Sequence, residues 1–462
     1  MTMTVQFDTE HWATDNFRDC RLGDRRRSQR LVKFARQAAD RPAASLPKIG
    51  EDWGGTRGIY RLLDNPAATL QSVTQTHRRR TTQHRGRFLI VSDTTHVDFG
   101  RQRKLPDAGP VGPGRSQGFL LHSGLLIDTA DRSLVGLAGQ VAHVRSRRRQ
   151  GKQNDSKRLR RWRESEMWIE LIEQTGPPPE GSQYIHVCDS AADNIEVFCA
   201  TRQVESEFVI RAGRLHRVVR VDEQKMPLEQ AVSAAQELGI YELEIPRGNG
   251  RRARTAQLRV TAQAIELPVP RHRSKRIKQY LKAGGTDLAA WAVLVEEIDP
   301  PANAEPIQWV LLTTLPVETF EQAWEVIGWY ENRWLVEEWH KALKTGCRLQ
   351  SRQLQSVDRL LPLAGVLSVV SVLLVQLKCA ARTCPDQPAT QLVPPLWLKL
   401  LKAKNKTIRH RITNYEFWRA VAKLGGFLAR RHDGEPGWQT IWRGWQELHT
   451  LAEGAKLAKK CG

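Results

Sequence analysis

Acids are in short supply in this sequence: 50 Asp and Glu stand against 71 Lys and Arg, leaving a formal net charge of +21. Such an imbalance disfavours an ordinary enzyme of small neutral substrates and points to a polyanionic partner. Cysteine pairing is also missing. Cys20, Cys188, Cys199, Cys347, Cys379, Cys384 and Cys461 are odd in number, scattered, and without CxxC spacing or a neighbouring His pair. That excludes a disulfide scaffold or a zinc finger and leaves reduced, structural thiols. The N-terminus "MTMTVQFDTEHW" lacks the apolar core of a signal peptide, and no lipidated or hydrophobic anchor accompanies the basic runs. Nucleic acid therefore fits the charge better than a membrane, and a cytoplasmic protein is expected. One apolar run, Leu360 to Leu377, approaches membrane-spanning length. Pro362, Gly365, Ser368, Ser371 and Gln376 interrupt it and charged segments flank it, so it reads as a buried core helix. There is no internal repeat and no long low-complexity segment.

What is present is a chain of 462 residues, too long for one core, with basic residues gathered in runs: "DRRRSQR", "HRRR", "RSRRR" and "SKRLRRWR". Residues 1–70 carry helical periodicity and little that reads as strand. Their arginines and lysines, Arg25, Arg26, Arg27, Arg30, Lys33 and Arg36, are almost uncompensated by acids. A solvated helix face would look similar, but so uncompensated a face favours DNA contact. From Arg87 the texture changes to three β-rich runs, "RFLIVSDTTHVDF", "GFLLHSGLLID" and "SLVGLAGQVAHV", then a helical "RWRESEMWIELIEQ" and a further strand, "YIHVCD". Residues from about 205 to 315 are again β-rich. After Leu377 the chain is helical, and Trp438, Trp442 and Trp445 recur at helical spacing. Such a stripe either completes a core or meets a partner, and periodicity alone leaves both open.

The stretch "YENRWLVEEWHKALKTG" holds the densest mixture of charge and aromatic surface. With Tyr330 as origin, Arg333, Glu337 and Lys344 fall on one face of a continuous helix. An exposed face laced by i,i+4 pairs would account for Arg333 and Glu337. It does not account for a phenol, a guanidinium and an ammonium flanking one carboxylate, a set suited to holding a hard cation beside phosphate oxygens. One carboxylate binds Mg²⁺ poorly, so further acids are needed. Asp93 ends "FLIVSD" and Asp189 ends "YIHVCD", where buried strands emerge from a sheet. A lone Asp there is ordinarily a turn or a helix cap. Two of them together with the helix stripe suggest three carboxylates holding two Mg²⁺ ions, one activating a water or a 3′-hydroxyl and the other stabilising the departing oxygen.

The pattern Tyr-x2-Arg-x3-Glu-x6-Lys, filled by Tyr330, Arg333, Glu337 and Lys344, resembles the signature of cut-and-paste DDE transposases of the Tn-five (Tn5) type, family four of the bacterial insertion-sequence transposases. The likeness covers nearly the whole chain. "LGDRRRSQRLVKFA" and "GGTRGIYRLLDNP" look like the family's N-terminal domain, "SDTT" and "VCDSAADN" like its aspartate motifs, and "LGGFL" and "WRGWQEL" like its C-terminal segment.

That resemblance implies an α/β fold: a ribonuclease-H-like catalytic core at 71–375 with a β-rich insertion at about 205–315, a helical DNA-binding domain at 1–70 and a helical C-terminal dimerisation region at 376–462. It implies Asp93, Asp189 and Glu337 as the catalytic and metal-holding triad with two Mg²⁺ (or Mn²⁺) ions. Tyr330, Arg333 and Lys344 would hold phosphates, Trp309 a base flipped from a DNA hairpin, and Arg211 a position beside the site. Arg26, Arg27, Arg30 and Arg61 are the corresponding N-terminal DNA contacts. The implied activity is cleavage of transposon ends by hydrolysis and 3′-hydroxyl attack through a hairpin, then joining to target DNA, by a homodimer in the nucleoid. The chain departs from many relatives at Gln350, where they carry an acid, and in its basic loop at 271–280. The rival readings are an inert end-binding protein that inhibits by mixed dimerisation, and a nuclease of hybrid or branched substrates.

Overall fold

The computed structural model describes residues 8–112, 116–146, 163–245, 253–270, 274–302, 304–391, 393–405, 411–430 and 433–461. Basic stretches at 147–149, 156–162 and 271–273 lie outside the described residues.

The described chain opens with helices α1 (Thr9–Phe17), α2 (Arg25–Asp40), α3 (Leu46–Gly50), α4 (Trp53–Leu63) and α5 (Leu70–Thr82). Their apolar positions recur at helical spacing. In α2, Leu31, Phe34, Ala35, Ala38 and Ala39 are buried while Arg25, Arg26 and Lys33 face water. Asp24 caps that helix by accepting the Arg26 N–H at 2.7 Å. Helix continues to Thr82, past the composition boundary near residue 70. His77 of α5 fastens these helices to the sheet. Its Nδ1 lies 2.6 Å from Asn16 Oδ1 of α1, and its Nε2 accepts the Leu137 N–H at 2.9 Å. Only the neutral Nδ1–H tautomer satisfies both contacts.

Among the described residues the sheet has 12 strands. Strands β1 (Arg87–Asp98), β2 (Gly109–Pro110), β3 (Gln117–Asp128) and β4 (Leu134–His143) come first, then α6 (Glu166–Thr175), β5 (Gln183–Cys188), α7 (Ile195–Gln203) and β6 (Glu207–Arg211). β1, β3 and β4 form an antiparallel meander, and β5 and β6 add to β1 in parallel, giving the order β4-β3-β1-β5-β6. This mixed α/β order is consistent with a ribonuclease-H-like core. "EFVIR", which composition groups with the insertion, is instead the second parallel strand of that core, because it pairs with β5. The remaining strands β7 (Val218–Val221), β8 (Gln224–Pro227), β9 (Glu237–Ile245), β10 (Arg254–Leu267), β11 (Leu288–Glu297) and β12 (Gln308–Thr313) extend the same sheet through an antiparallel β6–β12 pairing.

Alternate residues along each strand enter different cores. Leu89, Val91, Val187, Val209 and Leu311 pack on the face covered by the N-terminal helices. Phe88, Ile90, Phe208, Ile210 and Leu312 pack on the other, beneath α6 and α7. The first face also receives α8 of the site segment (Phe320–Glu331), α9 (Trp334–Lys341) and α10 (Val357–Thr383). α10 is long and apolar enough to cross a membrane, yet 89% of its most hydrophobic window is buried inside the protein. Its polar interruptions have protein partners: Gln376 donates to the Leu134 and Val135 carbonyls at 3.0 Å, and Ser368 Oγ accepts from Gln140 at 2.9 Å. The core-helix expectation therefore holds.

The C-terminal helices include α11 (Pro395–Lys404), α12 (Asn414–Leu424) and α13 (Trp438–Cys461). Trp442 and Trp445 are buried, and Trp445 stacks on Trp418 with ring centroids 5.2 Å apart. The tryptophan stripe thus completes a core within this chain.

Candidate active site

Ser92 opposite Cys188 is the last pair of the parallel β1–β5 ladder, so Asp93 and Asp189 lie side by side where it ends. β5 stops there, as expected for Asp189, but β1 runs on to Asp98 against β3, so Asp93 lies within a strand and does not end one. Parity then fixes the face. Asp93 follows Leu89 and Val91, Asp189 follows Val187, and Arg211 follows Val209, all on the side of the N-terminal helices. Trp309 shares that parity with Leu311 on β12, whose Leu311 is opposite Arg211. It stands one strand beyond Arg211, half-buried, with its indole Nε1 buried and without a partner.

The segment from Tyr330 to Gly346 is not one straight helix. α8 ends near Asn332, whose side-chain amide turns back to donate to the Gly328 carbonyl at 2.7 Å and whose backbone N–H closes on Trp329 at 3.1 Å. Arg333 sits at this joint, and Glu337 lies in the first turn of α9. After Lys341 the chain widens into a π turn, Ala342–Gly346, closed by the Cys347 N–H on the Ala342 carbonyl at 2.8 Å. Lys344 lies in that turn, a feature often found where function demands a locally altered helix. The reversal that ends the segment is made by Arg348, at φ 50°, and not by Gly346. The expectation of a continuous helical stripe is corrected accordingly: the four side chains are aimed by a joint and a π turn.

They nevertheless face the acids. Arg333 donates to Glu337 at 2.6 Å and lies 3.7 Å from Asp93 Oδ2. Tyr330 is half-buried, and its phenol pKa is raised by burial against the opposing influence of Arg333 and Arg211. Lys344 has its pKa lowered by burial, while Asp98 and Asp93 act in the opposite sense. Asp93 carries a carboxyl pushed up to about 6, first by burial and then by the charges of Asp189 and Glu337; the Thr94 N–H, at 2.7 Å, and Arg333 oppose the rise. Asp189 also caps the turn after β5, accepting the Ala191 N–H at 3.0 Å.

A divalent cation suits this set in one respect. A carboxyl such as that of Asp93, whose proton affinity is raised by burial and by neighbouring carboxylates, is a ligand that a hard cation relieves. In the arrangement described, however, no three acidic, His or Cys side chains among the described residues stand close enough to share one ion. The Arg333 guanidinium bridges Glu337 toward Asp93 instead.

The N-terminal arginines are distributed between roles. Arg26 and Arg61 are exposed. Arg27 donates to the Leu22 carbonyl at 3.0 Å, a contact within the fold.

Two supporting acids escape sequence reasoning. Asp193, buried, accepts the Gly213 and Arg214 N–H groups at 2.9 Å and pairs with Arg217, fixing the loop that leaves Arg211. Glu338, beside Glu337, accepts from Lys378 and from the Trp438 indole, tying α9 to α10 and to the C-terminal helix. The signal for Asp193 is its place in "CDSAADN"; Glu338 has none beyond adjacency.

Comparison with known families matches residues 9–68 to the family described as "Transposase DNA-binding" and residues 369–462 to "Transposase Tn5 dimerisation domain". These matches support DNA and a second copy of the chain as partners.

Proposed function

We propose, on the premise that this chain is a Tn5-type transposase, that Asp93, Asp189 and Glu337 are its catalytic acids and that it cuts element ends and joins them to target DNA. The observation that carries this reading is the placement of Asp93, within β1, beside Asp189, just past the end of its parallel neighbour β5, on the face crossed by Arg333 and Glu337. Those three acids would hold two Mg²⁺ or Mn²⁺ ions, which when bound supply Lewis-acid stabilisation of the phosphoryl oxygens and lower the pKa of an attacking water or hydroxyl.

The chain's own residues do the rest. Arg333, at the joint between α8 and α9, exchanges its carboxylate partners for phosphate oxygens as DNA enters, freeing Glu337 and Asp93. Lys344 and Arg211 neutralise the flanking phosphates, and the Tyr330 hydroxyl donates to one of them. Trp309, whose indole N–H has no internal partner, offers a ring face to an unstacked base. Chemically, water attacks one strand at each end, and the released 3′-hydroxyl attacks the opposite strand to form a hairpin. A second water reopens the hairpin, and the same hydroxyl then displaces a phosphodiester of target DNA. Each step exchanges one P–O bond for another.

The test is to incubate the protein in Mg²⁺ with the DNA flanking its own gene and to map the breaks. Alanine at Asp93, Asp189 or Glu337 should reduce cleavage on the order of a thousandfold or more, with binding retained. Full cleavage by any of the three variants refutes the assignment. A wild-type protein that shifts this DNA but leaves every strand whole supports the inert end-binding alternative.

A further inference from the structure

β1 loses its neighbour β5 after Ser92, and among the described residues its next stretch, 93–98, pairs with β3 alone. A ladder bonded on one side leaves the backbone freer just where it carries Asp93. Side chains alternate along a strand, so Asp93 and Thr94 face opposite sides of the sheet. Thr94 turns under α6, where its hydroxyl lies 2.8 Å from Nδ1 of His122, its cross-strand partner on β3. His122 is 0% exposed, and the Trp168 ring of α6 packs on it with centroids 4.4 Å apart. The imidazole is thus enclosed in the second core, beneath α6, with its Nδ1 turned to β1.

The link reaches the acid through the backbone. The Thr94 N–H donates to Asp93 Oδ1 at 2.7 Å, which leaves Oδ2 as the oxygen facing Arg333, 3.7 Å away. Holding Thr94 by its side chain therefore fixes how the preceding carboxylate is turned. Packing alone does not account for a histidine at this position. Its Nε2 is buried without a partner, at a cost on the order of 1 to 3 kcal/mol that an apolar ring of similar size would avoid. Its Nδ1, by contrast, meets the Thr94 hydroxyl, a contact that a hydrocarbon ring could not make.

We propose that His122 is a positioning residue of the candidate site: through the Thr94 hydroxyl it fixes the backbone that pins one oxygen of Asp93, so that the other is presented to a divalent cation. The inference rests on the reading of Asp93 as a metal-holding acid. Groups that hydrogen-bond a ligating carboxylate orient it, and loss of such an outer partner commonly costs roughly tenfold to a hundredfold in metal affinity or activity.

The experiment uses the full chain bound to the DNA flanking its own gene. Mn²⁺ binding is followed by the EPR signal of the free ion, alongside nicking in Mg²⁺. Thr94→Val, which removes the hydroxyl at nearly constant shape, should weaken Mn²⁺ binding by roughly tenfold to a hundredfold and slow nicking to match, with DNA affinity in EDTA unchanged. Thr94→Ser should recover most of the loss. His122→Asn sets an amide near the Nδ1 position and His122→Gln sets one near Nε2, so the Asn variant should hold Mn²⁺ more tightly than the Gln variant. Hydrogen exchange of the Thr94 amide, measured without metal or DNA, should quicken in Thr94→Val and His122→Gln and stay slow in Thr94→Ser. Wild-type Mn²⁺ affinity in Thr94→Val overturns the proposal, and so do losses at residue 122 that follow unfolding free energy and not the place of the amide. A wild-type protein that neither binds Mn²⁺ nor nicks overturns the acid assignment. Exchange then decides separately whether His122 holds this segment, since an unchanged Thr94 amide in both variants means that it does not.

Discussion

Asp193 is 2% exposed and accepts two backbone N–H groups and a guanidinium, whereas Asp93, half-buried where the β1–β5 ladder ends, has among the described residues only the Thr94 N–H and an Arg333 nitrogen 3.7 Å away. Glu338 and Glu337 repeat the contrast on adjacent residues of one helix. Although burial pushes the Glu338 carboxyl up, Lys378 and Trp438 outweigh it and leave the pKa below the ordinary range. Glu337, by contrast, is exposed and held by Arg333 alone. Acids that serve the fold are saturated by partners from distant segments. Acids of the candidate site are left short of partners, which costs stability and leaves their oxygens available to a ligand.

The sharpest break of this contrast is at the aspartates. Asp93→Asn should abolish cleavage and yet stabilise the protein. Its folded pKa, near 6, exceeds the ordinary 3.8, so between those values the folded chain keeps a proton that the unfolded chain releases. Raising the pH through that window therefore costs stability, and at pH 8 the neutral Asn should recover on the order of 1 to 3 kcal/mol. Asp193→Asn should do the reverse, losing about 3 to 5 kcal/mol because the buried charge that holds the Arg217 guanidinium and the Gly213 and Arg214 N–H groups is removed. Urea unfolding at pH 8 separates the two, and a destabilised Asp93→Asn would remove the distinction.

A smaller effect is expected at the glutamates. Glu338→Gln should cost about 1 to 3 kcal/mol by weakening the tie to Lys378 and Trp438. Glu337→Gln should change unfolding free energy by less than about 0.5 kcal/mol, since its exposed pair contributes little. Equal losses in thermal or urea unfolding would mean that the two positions are not differently employed.

Much of the frame could be read from sequence because it depends on period. Strand runs such as "RFLIVSD" and "YIHVC" alternate or stay apolar, and their aspartates fall where the runs end. Register, however, is a tertiary outcome. Nothing local requires Ser92 to face Cys188, and only that pairing brings Asp93 beside Asp189. The joint at Asn332 was equally hidden, because its side-chain amide bonds the Gly328 carbonyl in place of the regular helical pattern, and the π turn at Lys344 carries no local sequence signal. "EFVIR" could not be assigned to the core by composition, since a core strand and an insertion strand share the same β-rich texture.

The mildest test concerns histidines that are saturated, or simply enclosed, on the structural side of the contrast. His77 has its pKa pushed down to about 3 by burial and then by Arg80 and Arg78. Below pH 6.5 the unfolded chain therefore takes up a proton that the folded chain refuses until about pH 3. Stability from this residue is complete above 6.5 and lost on acidification, at on the order of 1 kcal/mol per pH unit. His122, His186, His340 and His449 are held neutral by burial in the same way, so their contributions steepen the loss. His77→Gln should be less stable at pH 7, having lost the pair of contacts to Asn16 and Leu137, but its unfolding free energy should fall more gently with acid, by about one proton in the slope. Urea midpoints between pH 7 and 4.5 measure this. A wild-type slope no steeper than that of the variant would mean that His77 is protonated in the folded protein, and that the hydrogen bond from Leu137 to its ring is absent.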